Sequence, residues 1–529
     1  MRADTTLDPL SVRSPADAVV ATDIPTSGRA VPLDDADAQL VSLAHPPTWR
    51  NPQSSSKYDL VVLGGGTAGL VSALGAAGLG ARVALVERHL LGGDCLNTGC
   101  VPSKAVIRSA RVVGEVKRAG ALGVAIDGVK VDFSTVMRRM RERRASLAVH
   151  DSAERLRAAG VDVFFGSASF ADDRTITVEG QHLRFTRAVI ATGGRPTVPP
   201  IPGLDSVRYF TNETIFSLSE LPRRLLVIGA GPIGCELAQA FARFGSSVTV
   251  VDQAAQVLPR EDADAAAIVR RSLEFDGVRF ELSARLERVH EAAGEVHLSY
   301  TQTGPGSRHA GQVTADLVLV ATGRAPNIED LHLDAARIEA TKQGVVVNDR
   351  LQTSNPRVYA SGDVCSVYKF THAADAMSRV VLQNALFFGR RKASALVIPW
   401  VTYTDPEVAH VGVFESDVVN SDGRLQSIAV PLTDVDRALV DDQVDGFVRV
   451  HHERGRIRGC TIVAAHAGEM IAEAVYAMTH DGTLSKLSST IHPYPTQAEA
   501  FRKAGDLYRR RAVTPGVRTW LERYFAWTR

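Results

Sequence analysis

Cysteine is scarce in this chain, five in 529 residues. So few, scattered so widely, do not make a secreted disulfide scaffold; they fit a reducing compartment, and a cytoplasmic location is expected. Net charge is scarce too: 60 basic and 59 acidic side chains leave a formal +1, which argues against a nucleic-acid footprint. No uninterrupted apolar run approaches the ~20 residues of a membrane span. Residues 1–57 lack an apolar segment of signal-peptide length and carry acids early, at Asp4, Asp8, Asp17 and Asp23. That excludes a secretion signal and matches an acid-poor transit peptide badly. Rich in Asp, Ala, Pro and Ser, they read as a flexible tail, with Trp49 as the residue to pack on the body. What remains is ordinary globular sequence, 45% apolar and 22% charged, and long enough for two to four domains.

The only closely spaced cysteines, Cys95 and Cys100, lie in Gly92-Gly-Asp-Cys-Leu-Asn-Thr-Gly-Cys-Val-Pro-Ser-Lys104. A regular helix would set them about 7.5 Å apart along its axis, beyond the roughly 7 Å Cα limit for a disulfide. The backbone between them must therefore be distorted. Gly99 supplies the freedom, and Pro102 suits a helix continuing onward. Two sulfurs five residues apart do not match usual zinc spacing, no second Cys/His pair sits nearby, and no metal site is expected. A redox-active pair is the reading that remains.

Tyr58-Asp-Leu-Val-Val-Leu63 runs into Gly64-Gly-Gly66-Thr-Ala-Gly69, a helix rich in Ala, Leu and Gly, and a second strand ending in Glu87. Strand, glycine turn, helix, strand and acid form a dinucleotide fingerprint. The glycines let a pyrophosphate approach the helix N-terminus, and the carboxylate takes ribose hydroxyls. The device returns with Gly229, Gly231 and Gly234, ending in Asp252, and both the first glycine and the acid are displaced by 165 residues. Two such sites imply two cofactors.

The string from Gly92 to Lys104 resembles the active-site segment of the flavin-dependent pyridine nucleotide disulfide oxidoreductases. The resemblance covers about residues 58–505. It implies an α/β fold with two Rossmann-like dinucleotide-binding domains, for FAD and NAD(P), and a C-terminal α+β dimerisation domain. The implied segments are 58–203 and 328–397 for FAD, 204–327 for NAD(P), and 398–529 for the interface of a homodimer. By the same resemblance Cys95 exchanges with substrate and Cys100 lies against the flavin. Lys104 sits beside flavin N5 and pairs with Glu236. Ala191-Thr192-Gly193 and the segment around Gly323 resemble the paired junctions between the two domains. Asp363 matches the aspartate that bonds the ribityl chain, with His372 and Ala373 falling close to the flavin, and for His372 an ordinary polar contact is the leading expectation. NADH is expected over NADPH, because Asp252 takes a ribose 2′-hydroxyl and repels a 2′-phosphate.

Two departures matter. Family members that oxidise dithiols carry a histidine five residues before a C-terminal glutamate; counting back from Glu499 lands on Tyr494, while His492 stands two residues earlier. Tyrosine there resembles the mercuric-reductase-like branch, so the acid/base contributed by the partner chain is either Tyr494 or His492, with Glu499. That branch also carries a terminal cysteine pair, and here no cysteine follows Cys460. The leading expectation is electron transfer to a metal ion or small acceptor; a dihydrolipoamide dehydrogenase-like enzyme is second, and a redox-sensing interaction protein is the rival of another class. Residues 501–529 carry eight Arg/Lys against Asp506 and Glu522, and Pro515 opens a last helix with Trp520, Tyr524 and Trp527 along one side. A packed terminal helix is expected there, contact with an anionic membrane surface being the lesser alternative.

Overall fold

Residues 34–304 and 307–529 are described by the structure, a computed structural model. The part of the expected tail that falls within them is no tail. Helix α1 (Asp35–Ala44), capped by the Asp34 carboxylate, buries Leu40 and Ala44 in the core of the first domain. Asp34 and Asp37 pair with Arg141 and Arg144, both at 2.5 Å. Trp49 Nε1 donates to the Val163 carbonyl at 3.2 Å, and Asn51 exchanges two hydrogen bonds with the Phe165 backbone. Residues 1–33 lie outside the described part.

The first domain is built on five parallel strands in the order Val161–Phe165, Val83–Glu87, Tyr58–Leu63, Gln181–Ile190 and Val358–Ala360. Val, Leu, Ile and Ala dominate them and are buried on both faces, as a parallel sheet covered by helices requires. Helix α2 (Thr67–Gly78) leaves the first strand at the glycine turn. The short α3 (Gly93–Asn97) and long α4 (Cys100–Arg118) follow the second strand, and α5 (Phe133–Ala148) packs on α4 and α1.

The second domain repeats the plan with Arg279–Glu281, Ser247–Val251, Arg224–Ile228, Leu317–Val320 and Tyr209–Phe210, all parallel. Its helix α6 (Pro232–Phe244) starts at the second glycine turn with Pro232 in the first turn. An antiparallel three-stranded sheet between Ala284 and Ala315 closes one face. The chain enters and leaves through one ribbon, where Gly194–Pro196 pairs antiparallel with Arg324–Pro326. It then completes the first sheet with Val358–Ala360 and runs into α7 (Thr371–Leu386).

The third domain is an antiparallel five-stranded sheet, from Trp400–Thr402 to Arg456–Ala464, with α8 (Ala467–Thr479) and α9 (Glu499–Arg511). After it comes α10 (Pro515–Thr528), which buries none of its residues, so the packing expected of the last helix is not formed within the chain. Its large side chains Trp520, Tyr524, Phe525 and Trp527 are all exposed. No helix among the described residues is long and apolar enough to cross a membrane.

Candidate active site

Each glycine turn is fixed by backbone crowding. Gly64 and Gly229 have φ of +102° and +114°, and a Cβ there would meet the carbonyl oxygens of Ala191 and Ala321 at 2.4 and 2.5 Å. A Cβ on Gly69 or Gly234 would strike the carbonyl oxygen of Gly64 or Gly229 at 1.7 and 2.0 Å. Only glycine fits, and the first turns of α2 and α6 are left as cradles of amides able to hold a pyrophosphate. The acids anchor the turns: Gly65 donates to Glu87 at 2.6 Å and Ala230 to Asp252 at 2.5 Å. These features fit two dinucleotides.

The redox segment crosses in front of the first turn, with Gly66 3.5 Å from Gly93 Cα when its Cβ is built. Cys95 sits in α3 and Cys100 opens α4; the helix breaks at Thr98–Gly99, where Gly99 takes φ −126° and ψ −112°. The required distortion is thus a true interruption between two helices, and it lets the two thiols hydrogen-bond each other. That hydrogen bond is the main cause drawing the Cys100 thiol down to about 6, helped by Thr371 and the Lys104 charge against the opposing effect of burial. Donating the same bond, together with burial, pushes the Cys95 thiol far up. The surroundings thus favour the proton on Cys95 and the charge on Cys100.

Lys104, one turn along α4, donates to Glu236 of α6 at 2.8 Å. Burial pulls its ammonium down, but Glu236 outweighs that and holds it above its ordinary range. Glu236 accepts from the Tyr403 amide at 2.8 Å, and the Tyr403 ring lies 4.5 Å from the Lys104 nitrogen. One ion pair thus ties the redox helix to the second domain and the entry of the third.

Asp363 stands at the end of the last strand of the first sheet, its carboxyl raised by burial and partly relieved by Arg324, 3.3 Å away. Arg324 reaches on to Asp94, beside Cys95, at 3.1 Å, and Asp94 accepts from Thr98 and Asn212 at 2.7 and 3.0 Å. The junctions are laced as well: Thr192 donates to the Asn327 carbonyl at 2.7 Å, and the Asn327 amide donates to Gly193 at 3.0 Å. Gly193 and Gly323 both take positive φ. Ala373 is fully buried in the first turn of α7. His372 makes the ordinary polar contact expected of it: its Nε2 lies 2.6 Å from the Pro399 carbonyl and its ring stacks on Phe370. Its neighbour Thr371 is the residue at the sulfur, 3.4 Å from Cys100. Sequence reasoning passed over Thr371, Arg324, Asp94 and Tyr403; the sole signal was adjacency to motifs already marked.

The C-terminal trio is dispersed. His492 is held by Glu473, 2.8 Å from its Nε2, and not by Glu499. Glu499 pairs with Arg502 at the start of α9. Tyr494 is 72% exposed, its phenol held above the usual range by Asp436. Within the chain His492 turns back toward α8, where Glu473 holds it. Among the described residues no group of three or more His, Cys, Asp or Glu side chains is gathered as a metal site.

Residues 58–378 match the family model for pyridine nucleotide-disulphide oxidoreductases, and residues 398–505 match that family's dimerisation domain. The chain belongs to the pyridine nucleotide-disulphide oxidoreductase family, whose members use FAD and NAD(P)H. Within it, the chain is 33% identical to mercuric reductase of Lysinibacillus sphaericus over 91% of this chain and 88% of that protein. It is 32% identical to dihydrolipoyl dehydrogenase of Bacillus subtilis over 84% of this chain and 97% of that one. A solved structure, the Cu(II) complex of the HOCl-induced flavoprotein disulfide reductase RclA from Escherichia coli, matches with a TM-score of 0.75 at 28% identity, over 86% of this chain and all of that one. The dimerisation domain supports a homodimer.

Proposed function

We propose that this flavoenzyme moves two electrons from NAD(P)H, through FAD held in the first domain, to the Cys95–Cys100 pair and on to a soft metal ion or small acceptor, in the manner of mercuric reductase. The observation that carries it is the division of labour between the thiols. A disulfide that gains two electrons and one proton becomes one thiol and one thiolate, and one hydride supplies both. The environment suits that result: it pushes the Cys95 thiol up and draws the Cys100 thiol down, with Lys104 one turn along the helix from Cys100. When bound, FAD passes the reducing equivalents of the nicotinamide to the disulfide. Lys104 and Glu236 hold the approach to Cys100, and Asp363 with Arg324 offers the polar contacts for the ribityl and phosphate side.

Cys95 then exchanges with the acceptor. Thiolate sulfur suits a soft cation and needs no proton acceptor, which agrees with Tyr494 standing where dithiol-oxidising relatives carry histidine. A phenol with a pKa near 10 makes a poor base at neutral pH. The cytoplasm is the proposed location, on the five unpaired cysteines.

The dihydrolipoyl dehydrogenase-like reading is favoured by one observation, the His492–Glu473 pair, which could act as a displaced base. Replacing Tyr494 by His separates the two. Dithiol oxidation at pH 7 should rise toward the roughly 10²- to 10⁴-fold a positioned base contributes, while mercuric ion reduction stays level or falls. Fast dihydrolipoamide turnover by the unmodified enzyme, lost on His492→Ala, would establish the second reading instead.

A further inference from the structure

Helix α10 lies beyond the segment matched by the family's dimerisation domain, which ends at residue 505. It is 14 residues long, capped by Thr514 and opened by Pro515, so it is formed by its own local signals. Trp520 and Trp527 are 63% and 82% exposed, and Val517, Tyr524 and Phe525 are exposed as well. At 3.6 residues per turn, Trp527, Trp520, Tyr524, Val517, Leu521 and Phe525 fall in one apolar arc about 160° wide. Arg523 borders one edge of that arc, and Arg518 and Arg529 border the other. Just upstream, the last turn of α9 carries Arg509, Arg510 and Arg511. From 501 to 529 the eight basic residues exceed the acids by six, in a chain whose formal net charge is +1.

We propose that α10 is an interfacial anchor that lays its aromatic arc into the surface of an anionic lipid bilayer, with the arginines at the arc's edges and in α9 at the headgroups. Trp and Tyr have an apolar body and a polar tip, the composition favoured at a bilayer surface, and basic residues flanking such a face add attraction to anionic lipid. A second copy is the poorer occupant. A contact across a two-fold axis through α10 sets Arg518, Arg523 and Arg529 of one chain near the same residues of the other, with only Glu522 to offset them. The proposal does not depend on which acceptor the thiol pair serves.

The test is co-sedimentation of the intact holoenzyme with vesicles of phosphatidylcholine alone or with about 30% phosphatidylglycerol. Binding to the anionic vesicles should be at least about tenfold tighter than to the neutral ones and should weaken as salt rises, since only attraction outside the screening length is lost. Trp520→Glu combined with Trp527→Glu should abolish pelleting while flavin content and solution turnover stay unchanged, because neither side chain is packed within the chain. Equal binding to both vesicles, no binding to either, or undiminished binding of the double variant overturns the proposal. So does a higher oligomer in light scattering of the lipid-free enzyme that the double variant lacks, which would make α10 a contact between copies.

Discussion

The two dinucleotide folds of this chain agree almost atom for atom at their glycine turns and differ in what stands in front of them. In both, the first glycine is pressed against a carbonyl of the neighbouring strand and the third against the first, and in both an acid accepts from the turn. But the middle glycine of the first fold, Gly66, faces Gly93 of the redox segment, whereas Gly231 of the second has nothing within 4 Å of a built Cβ. One cradle is backed by protein and suits a cofactor that stays. The other is open and suits one that arrives, reacts and leaves. On the proposed assignment a single local design serves a resident flavin in the first fold and a passing nicotinamide in the second, and the difference between them is the redox segment in front of the first.

The hardest way to break this comparison is at the segment itself. Cys100→Ser should reduce turnover by at least about 10³-fold and remove the long-wavelength absorbance that appears on reduction, with flavin still bound. Cys95→Ser should cost as much turnover but keep that absorbance, because the sulfur nearer the flavin remains. Identical spectra from the two variants would show that the thiols are not divided as proposed.

The glycines come next. Ala at position 69 must displace backbone it would otherwise overlap, a strain of about 1–3 kcal/mol or more, and the purified protein should lose flavin absorbance. Gly234→Ala brings a similar clash to the open fold and should leave flavin in place while raising KM for the nicotinamide. If both variants lose flavin, the assignment of residents to folds is wrong.

Smaller is the pH effect. The Cys100 thiol titrates at about 6, below its ordinary range, so the thiolate is present at neutral pH and is lost as pH falls through that value. Lys104→Met removes a cation that favours the thiolate, and the midpoint of the reduced enzyme's absorbance should move up by about one pH unit. A midpoint that does not move would leave Lys104 as a tether between domains and nothing more. Smallest is cofactor choice: Asp252, fixed to the Ala230 and Ala254 amides, should give NADH the higher kcat/KM. A higher value for NADPH would mean that the open fold admits a 2′-phosphate despite the carboxylate.

The glycine turns were legible because a backbone that tolerates no Cβ leaves its mark in the sequence at fixed spacing. So was the break between Cys95 and Cys100, which helix geometry alone demanded. Lys104 with Glu236 was legible by likeness to relatives and not by physics, since 132 residues separate them. Nothing local announced the line from Asp94 through Arg324 to Asp363, which joins three stretches that meet only after the second fold has been inserted. His492 was marked only for standing two residues from the expected position, and the acid that holds it, Glu473, lies on a different helix that no local pattern pointed to. Helix α1 was missed because its apolar positions are few and its holding charges lie 107 residues away.

Arg144 gives that helix a wider meaning. One of its nitrogens meets Asp37 and another donates at 2.7 Å to the carbonyl of Asn97, between the two cysteines. A chain begun at Tyr58, where the match to the family model begins, would keep every recognised motif and yet leave Arg141 and Arg144 without Asp34 and Asp37. The same cut would uncover the core surface of the first domain that Leu40 and Ala44 close. The segment ahead of the matched family model is thus part of the first domain's packing, and through Arg144 it reaches the backbone of the redox segment.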